Sequence, residues 1–318
     1  MVIFLIIETK LFQLVMTTRN TLGIAFLFLI TAHANSAFSQ KNPDKEEWIK
    51  LFNGKNLKGW DIKIAGFDMG DNYKNTFRIE KGVLKVAYDQ YDSFHEEYGH
   101  LYYKTPYSYY KLVAEYRFTG EQLKGGDTWN NRNSGIMIHS QSAASNSKNQ
   151  LYPVSLEVQL LGGLSDGKDR PTGNVCTPGT FIEHDGKVSH DHIVNSKSKT
   201  YDGDQWVKVE VIVLGDSLIT HLINGEIVLK YSNTKIGQGY VSNGMNWKAG
   251  HIENEAEWIK KDGTHLSNGY IALQAESHAV EFKKVELLNL EGCMNPKCSN
   301  YKSYYIKSSN TCNCTNLK

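Results

Sequence analysis

Two antiparallel sheets packed face to face, a sandwich or jelly roll, are the architecture this sequence predicts. Three observations predict it: apolar residues alternate with period two in segment after segment, Gly and Asn turns separate the segments, and helical periodicity is absent apart from a short turn around residues 254–261. KLVAEYRF places Leu112, Ala114, Tyr116 and Phe118 on one face and Lys111, Glu115 and Arg117 on the other, because successive side chains point to opposite sides of a strand. NSGIMIHS sets Ile136 and Ile138 against Met137 and His139. In SLEVQLL, Leu156, Val158 and Leu160 continue the apolar row begun by Val154, and Ser155, Glu157 and Gln159 face away from it. WVKVEVIVL and SLITHLI alternate likewise, and Asn224-Gly225 then turns the chain into EIVLKY, a strong hairpin signal. In GYIALQAESHAVEF, Ile271 and Leu273 oppose Gln274, Glu276 and His278. Val280 and Phe282 are out of phase with Val285 and Leu287, which predicts a bulge near Lys283.

Three of these strands carry chemically capable residues on their polar faces. Polar side chains on the solvent side of a half-buried strand are the default and need no function. Glutamate, histidine and glutamine are nevertheless poor strand formers beside Thr or Val, so their recurrence on one face points to chemistry or to sugar hydrogen bonding. The two-residue spacing of Glu157 with Gln159 puts the pair about 7 Å apart on one face, a span suited to one sugar ring.

The N-terminal region has the layout of a secretory signal peptide: Arg19, then an apolar run from Leu22 to Ile30 too short to span a bilayer, then the small-residue stretch AHANSAFSQ. Cleavage is expected near Gln40, with Met16 as an alternative start to Met1, and the mature chain is expected in the periplasm or outside the cell. A retained membrane anchor is the alternative; no later segment is apolar enough to span. Removing residues 1–40 takes away Lys10, Arg19 and Glu8 and leaves 33 basic and 33 acidic residues of the original 35 and 34. This neutral balance, with no basic run interleaved with aromatics, gives no reason to expect nucleic acid as a partner and favours uncharged polar ligands.

The segments WIKLFNGKNLKGW, GHLYYKTPYSYYKLVAEYRF, NSGIMIHS, LEVQLLGG, TGNVCTPGTFIEHDG, GDQWVKVEVIVLGDSLITHLINGEIV and GYIALQAESHAVEFKKVELLNL, in this order, resemble the 3-keto-disaccharide hydrolase family, also described as 3-keto-glucoside 1,2-lyase or 3-keto-2-hydroxyglucal hydratase. The resemblance runs from about Trp48 to Leu290. It implies a concanavalin A-like jelly-roll sandwich of two curved antiparallel sheets, with a sugar groove on the concave face. It also implies a secreted carbohydrate-active enzyme whose substrate is a 3-keto-glucoside or related glycoside. The domain is then 41–290, between the signal peptide 1–40 and a tail 291–318.

A ketone at C3 acidifies the proton at C2, so a base can remove it, the glycosidic oxygen leaves C1, and water adds to the resulting enone. Such a site needs a base, an acid for the leaving group and a donor or cation for the enolate oxygen. Glu157, His139 and His278 are the expected base and acid. Arg132, Asn133, Gln159, Gln274 and Glu276 are the expected substrate-binding residues. Glu157 and Glu276 can also form the carboxyl pair of an ordinary glucanase-type glycosidase, and the same polar groove can bind glycans without cutting them. Both alternatives stay open on sequence.

The histidine-rich stretch EHDGKVSHDH offers His184, His190 and His192 as metal ligands, but it matches no defined metal motif and reads first as a solvated loop. A divalent ion, if held, would polarise the C3 ketone. The tyrosines of GHLYYKTPYSYY read either as sugar-stacking surfaces or, more commonly, as packing. The tail concentrates Cys293, Cys298, Cys312 and Cys314. In an exported chain this reads as two disulfides, with Cys312 and Cys314 each pairing back to Cys293 or Cys298, and with zinc as the rival. Cys176 is left over and reads as a small buried residue near the groove.

Overall fold

The computed structural model describes residues 42–237 and 247–314. The predicted signal peptide, its cleavage site and both candidate start methionines lie outside the described residues. The chain enters through β1 (Ile49–Lys50) and β2 (Trp60–Ile64), makes the hairpin β3 (Phe77–Glu80) to β4 (Val83–Val86), and continues through β5 (Gly99–Tyr103) into the long β6 (Tyr109–Gln122). β7 (Asn133–Ser140) and β8 (Leu156–Leu161) follow, then the short strands β9 (Asn174–Cys176), β10 (Thr180–His184), β11 (Lys187–Ser189) and β12 (Ile193–Val194). A meander of β13 (Val207–Leu214), β14 (Leu218–Ile223) and β15 (Glu226–Ile236) precedes the five-residue helix α1 (Glu255–Ile259), and β16 (Tyr270–Ala275) and β17 (His278–Asn289) complete the sandwich.

Two antiparallel sheets result. One has the order β11-β10-β15-β14-β13-β6-β17-β4-β3, with β1 paired onto β17; the other has the order β12-β9-β8-β7-β16-β5-β2. The alternating rows explain why they pack. Leu112, Ala114, Tyr116 and Phe118 of β6 share one buried cluster with Ile136 and Ile138 of β7, Leu156, Val158 and Leu160 of β8, and Ile271 and Leu273 of β16. Burying branched side chains from both inner faces is the principal driving force, each contributing about 1.5–3 kcal/mol. The Asn224-Gly225 turn is a two-residue hairpin in which Ile223 pairs with Glu226 and both turn residues have positive φ, 50° and 88°. The expected bulge is a register shift between Phe282 and Lys284, which lets Val280, Phe282, Val285 and Leu287 all reach the core.

Two expectations need correction here. His139 was placed beside Met137 by simple alternation, yet β7 slips against β16 between Tyr270 and Ala272, and His139 takes a φ of 49°. Its imidazole turns to the other sheet, with Nε2 3.0 Å from the Gly215 carbonyl oxygen at the β13–β14 turn. His278 was placed in line with Gln274 and Glu276, but Ser277, with a φ of 64°, carries the chain from one sheet to the other. His278 therefore begins β17, paired with Gln122 of β6, and packs edge-on to Phe118.

The tail forms the parallel pair β18 (Glu291–Gly292) and β19 (Lys307–Ser308), closed by disulfides Cys293–Cys312 and Cys298–Cys314. Cys293, Cys298 and Cys312, whose sulfurs lie within 4.8 Å of one another, are thus joined as disulfides rather than arranged as the rival zinc site. The tail also grips the start of the domain, through Lys302 Nζ to Glu47 Oε1 at 2.7 Å and the Ser303 amide to the Pro43 carbonyl at 3.1 Å. Among the described residues no helix is long and apolar enough to cross a membrane.

Candidate active site

The outer face of the seven-stranded sheet carries the site. Registers place Cys176 of β9 beside Glu157 of β8, Glu157 beside Met137 of β7, and Met137 beside Ala272 of β16. One step along the strands, Asn174 lies beside Gln159, and Gln159 beside Gly135. Gly135 has a physical reason to lack a side chain. A Cβ there would come 2.5 Å from Glu157 Oε1 and 2.7 Å from its Cγ, so the Glu157 side chain lies across the glycine. The Asn-Ser-Gly sequence at the start of β7 is thus read as the floor beneath a carboxyl group.

Over this floor opens a cavity of about 520 Å³, within the range of small-molecule sites. Glu157, Gln159, Asn133, Glu276 and Cys176 line it from the sheet side, and Tyr98, Tyr152, Trp129, Asp127, Glu96, His192 and Ile193 line it from strand ends and loops. A larger depression of about 740 Å³ lies at the other end of β7, and it is this one that His139 borders.

Two buried carboxyl groups, Glu157 and Glu276, dominate the cavity's electrostatics. Burial raises the pKa of Glu157 well above the usual glutamate range, and the charge of Glu276 raises it further. Burial also raises Glu276, to about 8, against the opposing pull of a hydrogen bond from Tyr152 and the positive charge of Arg170. The Tyr152 hydroxyl donates to Glu276 Oε1 at 2.9 Å. Both neighbours favour the carboxylate form of Glu276, whereas the charge of Glu276 favours the protonated form of Glu157. A pair split in this way can offer one base and one acid at the same pH.

His192, Gln159, Asn133 and Cys176 add neutral groups to the cavity. Burial lowers the pKa of His192, so its imidazole is uncharged near neutral pH. Its Nδ1 is buried without a hydrogen-bond partner. A buried N–H without a partner is rarer than a buried acceptor without one, which puts the ring proton on Nε2. The His192 backbone is held by its carbonyl, which accepts from the Thr177 amide at 3.0 Å and the Thr177 hydroxyl at 3.3 Å. Gln159 Oε1 accepts from Asn174 Nδ2 at 3.0 Å, and Asn133 Oδ1 is buried with no hydrogen-bond partner. Burial, followed by the charges of Glu157 and Glu276, raises the Cys176 thiol and keeps it protonated, as suits a packing residue.

Of the expected site residues, Glu157, Asn133, Gln159 and Glu276 come together. Gln274 shares their face, paired with His100 of β5, but is wholly buried with neither amide atom bonded. Arg132 is drawn away: its guanidinium bonds the Gly203 carbonyl, pairs with Asp204 at 3.2 Å and stacks over Phe118. His139 and His278 do not line the cavity, for the backbone reasons given above. The three histidines weighed as metal ligands do not converge. His184 lies 3.7 Å from the Asp185 carboxylate, His190 packs on Phe181, and His192 alone reaches the cavity. Trp129 and Tyr152 were not singled out in sequence. A tryptophan in a polar loop beside Asn and Asp was the available signal for the first; nothing local marks the second.

The structure aligns with two Parabacteroides distasonis ATCC 8503 proteins provisionally described as glycosyl hydrolases. The first is 16% identical over 77% of this chain and 100% of its own, with a TM-score of 0.44. The second is 21% identical over 76% of this chain and 94% of its own, with a TM-score of 0.43. The carbohydrate-binding module CBM66 of Bacillus subtilis aligns at 11% identity over 74% of this chain and 98% of its own, with a TM-score of 0.38. No curated protein matches the chain in sequence. The family pattern does match: residues 47–288, most of the chain, fit the 3-keto-alpha-glucoside-1,2-lyase-like domain, and the protein belongs to that family.

Proposed function

We propose that this protein is an exported enzyme that cleaves 3-keto-glycosides by elimination and hydration. The observation that carries the reading is the buried pair Glu157 and Glu276, in which Tyr152 and Arg170 favour the carboxylate form of Glu276 and the charge of Glu276 favours the protonated form of Glu157. The Glu276 carboxylate takes the proton from C2, and those electrons form the C1–C2 double bond. As the C1–O bond breaks, Glu157 gives its proton to the departing oxygen. Water then adds to C1 and loses a proton to Glu157, and Glu276 returns its proton to C2. One water is consumed and both carboxyl groups end as they began. The neutral His192 donates from Nε2 to the C3 oxygen as charge builds there. Export is supported by the layout of residues 1–40 and by the two disulfides of the tail, which form and persist in oxidising compartments.

Incubating the mature chain with a 3-keto-glycoside and with its unoxidised parent, with and without chelator, tests the reading. Release from the keto sugar alone is expected. Release from the parent would show instead that Glu157 and Glu276 act as an ordinary glycosidase pair. Binding without release from either would make the protein a glycan-binding module, and loss of release on chelation would bring a metal ion into the mechanism.

A further inference from the structure

The cavity has a mouth that the elimination chemistry does not use. Large apolar side chains exposed at the surface are ordinary when scattered. Trp129, 60% exposed, and Ile193, 44% exposed, are different, since both line the cavity that holds Glu157 and Glu276. Trp129 lies in the 3-10 turn Thr128–Asn130, whose backbone is fixed from several directions. Gln122 Nε2 donates to the Asp127 carbonyl at 2.7 Å, Arg170 Nη2 to the Trp129 carbonyl at 3.4 Å, and the wholly buried Asn130 donates from Nδ2 to the Tyr98 hydroxyl at 3.0 Å. An indole left open to water on a backbone this firmly held offers a flat apolar surface for stacking. Asp127 and Glu96 line the same cavity. Their carboxylates can accept from the hydroxyl groups on the edge of a ring stacked on the indole.

We propose that Trp129, with Ile193, stacks the ring of the leaving group, and that Asp127 and Glu96 restrict that group to neutral sugars or aromatic alcohols and select against acidic ones. The proposal rests on the reading above, in which the keto sugar occupies the buried end beside Glu157 and Glu276. The indole supplies apolar area to the flat face of a pyranose or aryl ring and none to a methyl group. The two carboxylates repel a uronate or a phosphate.

Trp129→Ala and Trp129→Phe, compared with the parent on 3-keto-glucosides carrying glucosyl, aryl, glucuronosyl and methyl leaving groups, test this. Trp129→Ala is expected to raise KM for the glucosyl and aryl substrates about tenfold more than for the methyl substrate, with Trp129→Phe intermediate. Asp127→Asn is expected to improve the glucuronosyl substrate relative to the glucosyl one. Equal changes across all leaving groups would overturn the proposal. A second arm does not depend on turnover: calorimetric binding of an unoxidised glucosyl disaccharide to the Glu157→Gln protein, with and without Trp129→Ala. About tenfold weaker binding on loss of the indole supports the platform, and unchanged binding removes it. If no keto-glycoside is cleaved by the wild-type chain, the elimination reading fails and this second arm still decides the role of Trp129.

Discussion

The outer faces of the two sheets carry glutamates in comparable positions and treat them in opposite ways. On the ten-stranded sheet three are matched to cations. Glu210 is held by Lys208 at 2.9 Å and Lys111 at 3.2 Å, Glu281 by Arg117 at 2.7 Å, and Glu115 by Lys283 at 2.6 Å. Burial alone would raise the pKa of Glu210, but the hydrogen bonds and charges of its two lysines overturn that and lower it. On the seven-stranded sheet burial is opposed more weakly, and Glu157 and Glu276 are both pushed up. The same residue type on the same kind of surface is thus structural where the fold supplies a counter-charge and chemically poised where it does not.

The largest effect that would break this comparison is on rate. Glu276→Gln and Glu157→Gln each remove a proton carrier and are expected to lower kcat on a 3-keto-glycoside by about 10²–10⁴-fold, the usual worth of general acid–base catalysis. Glu210→Gln, on the opposite sheet, is expected to leave kcat within about twofold. Comparable losses from all three would mean that the contrast between the faces has nothing to do with catalysis.

The next effect isolates position from chemistry. Gly135→Ala keeps both carboxyl groups but places a methyl where the Glu157 side chain lies. The carboxyl must move, and a displacement of about 1 Å can cost about 100-fold in rate. Far-ultraviolet circular dichroism and a thermal melt on the same sample check that the fold persists. A fully active Gly135→Ala protein would show that Glu157 need not lie over β7 to work.

Much of this contrast was legible in the sequence, and the reasons for the rest are local. Period-two alternation located β6, β7, β8 and β16, and the glutamates of β8 and of the residues after β16 followed from it. The phase change around Lys283 even located a bulge, because four apolar residues had to share one face. His139 and His278 were misplaced because each follows a backbone irregularity, a register slip in one case and the positive φ of Ser277 in the other. Ser277 leaves no Gly or Pro beside it, and the slip at His139 is marked only across the sheet, by Gly269, where a Cβ would come 2.4 Å from the His139 carbonyl carbon. Arg132 has the same problem, with a φ of 49° just before β7 begins. Trp129, Tyr152 and His192 reach the cavity through contacts between segments far apart in sequence, such as Tyr152 to Glu276, which no local pattern encodes.

The smallest effect is on stability, and its sign differs between the two faces. A carboxyl whose pKa rises on folding binds its proton more tightly in the folded chain. Its contribution is therefore full below the ordinary value of 4.5 and is lost as pH climbs through the folded value, about 8 for Glu276. Glu276→Gln keeps an oxygen to accept from Tyr152 and escapes that loss, so its melting temperature is expected to exceed that of wild type at pH 9 by a few degrees and to converge with it toward pH 5. Glu210 has a lowered pKa, so its contribution is present above the unfolded value and lost as pH falls through the folded one. Glu210→Gln is accordingly expected to cost about 1 kcal/mol or less at pH 7 and nothing once both folded and unfolded chains hold the proton. Melts of the three proteins from pH 3 to pH 9 read both slopes at once. Parallel curves would mean that the two sheets hold their glutamates alike, and the poised pair would lose its physical basis.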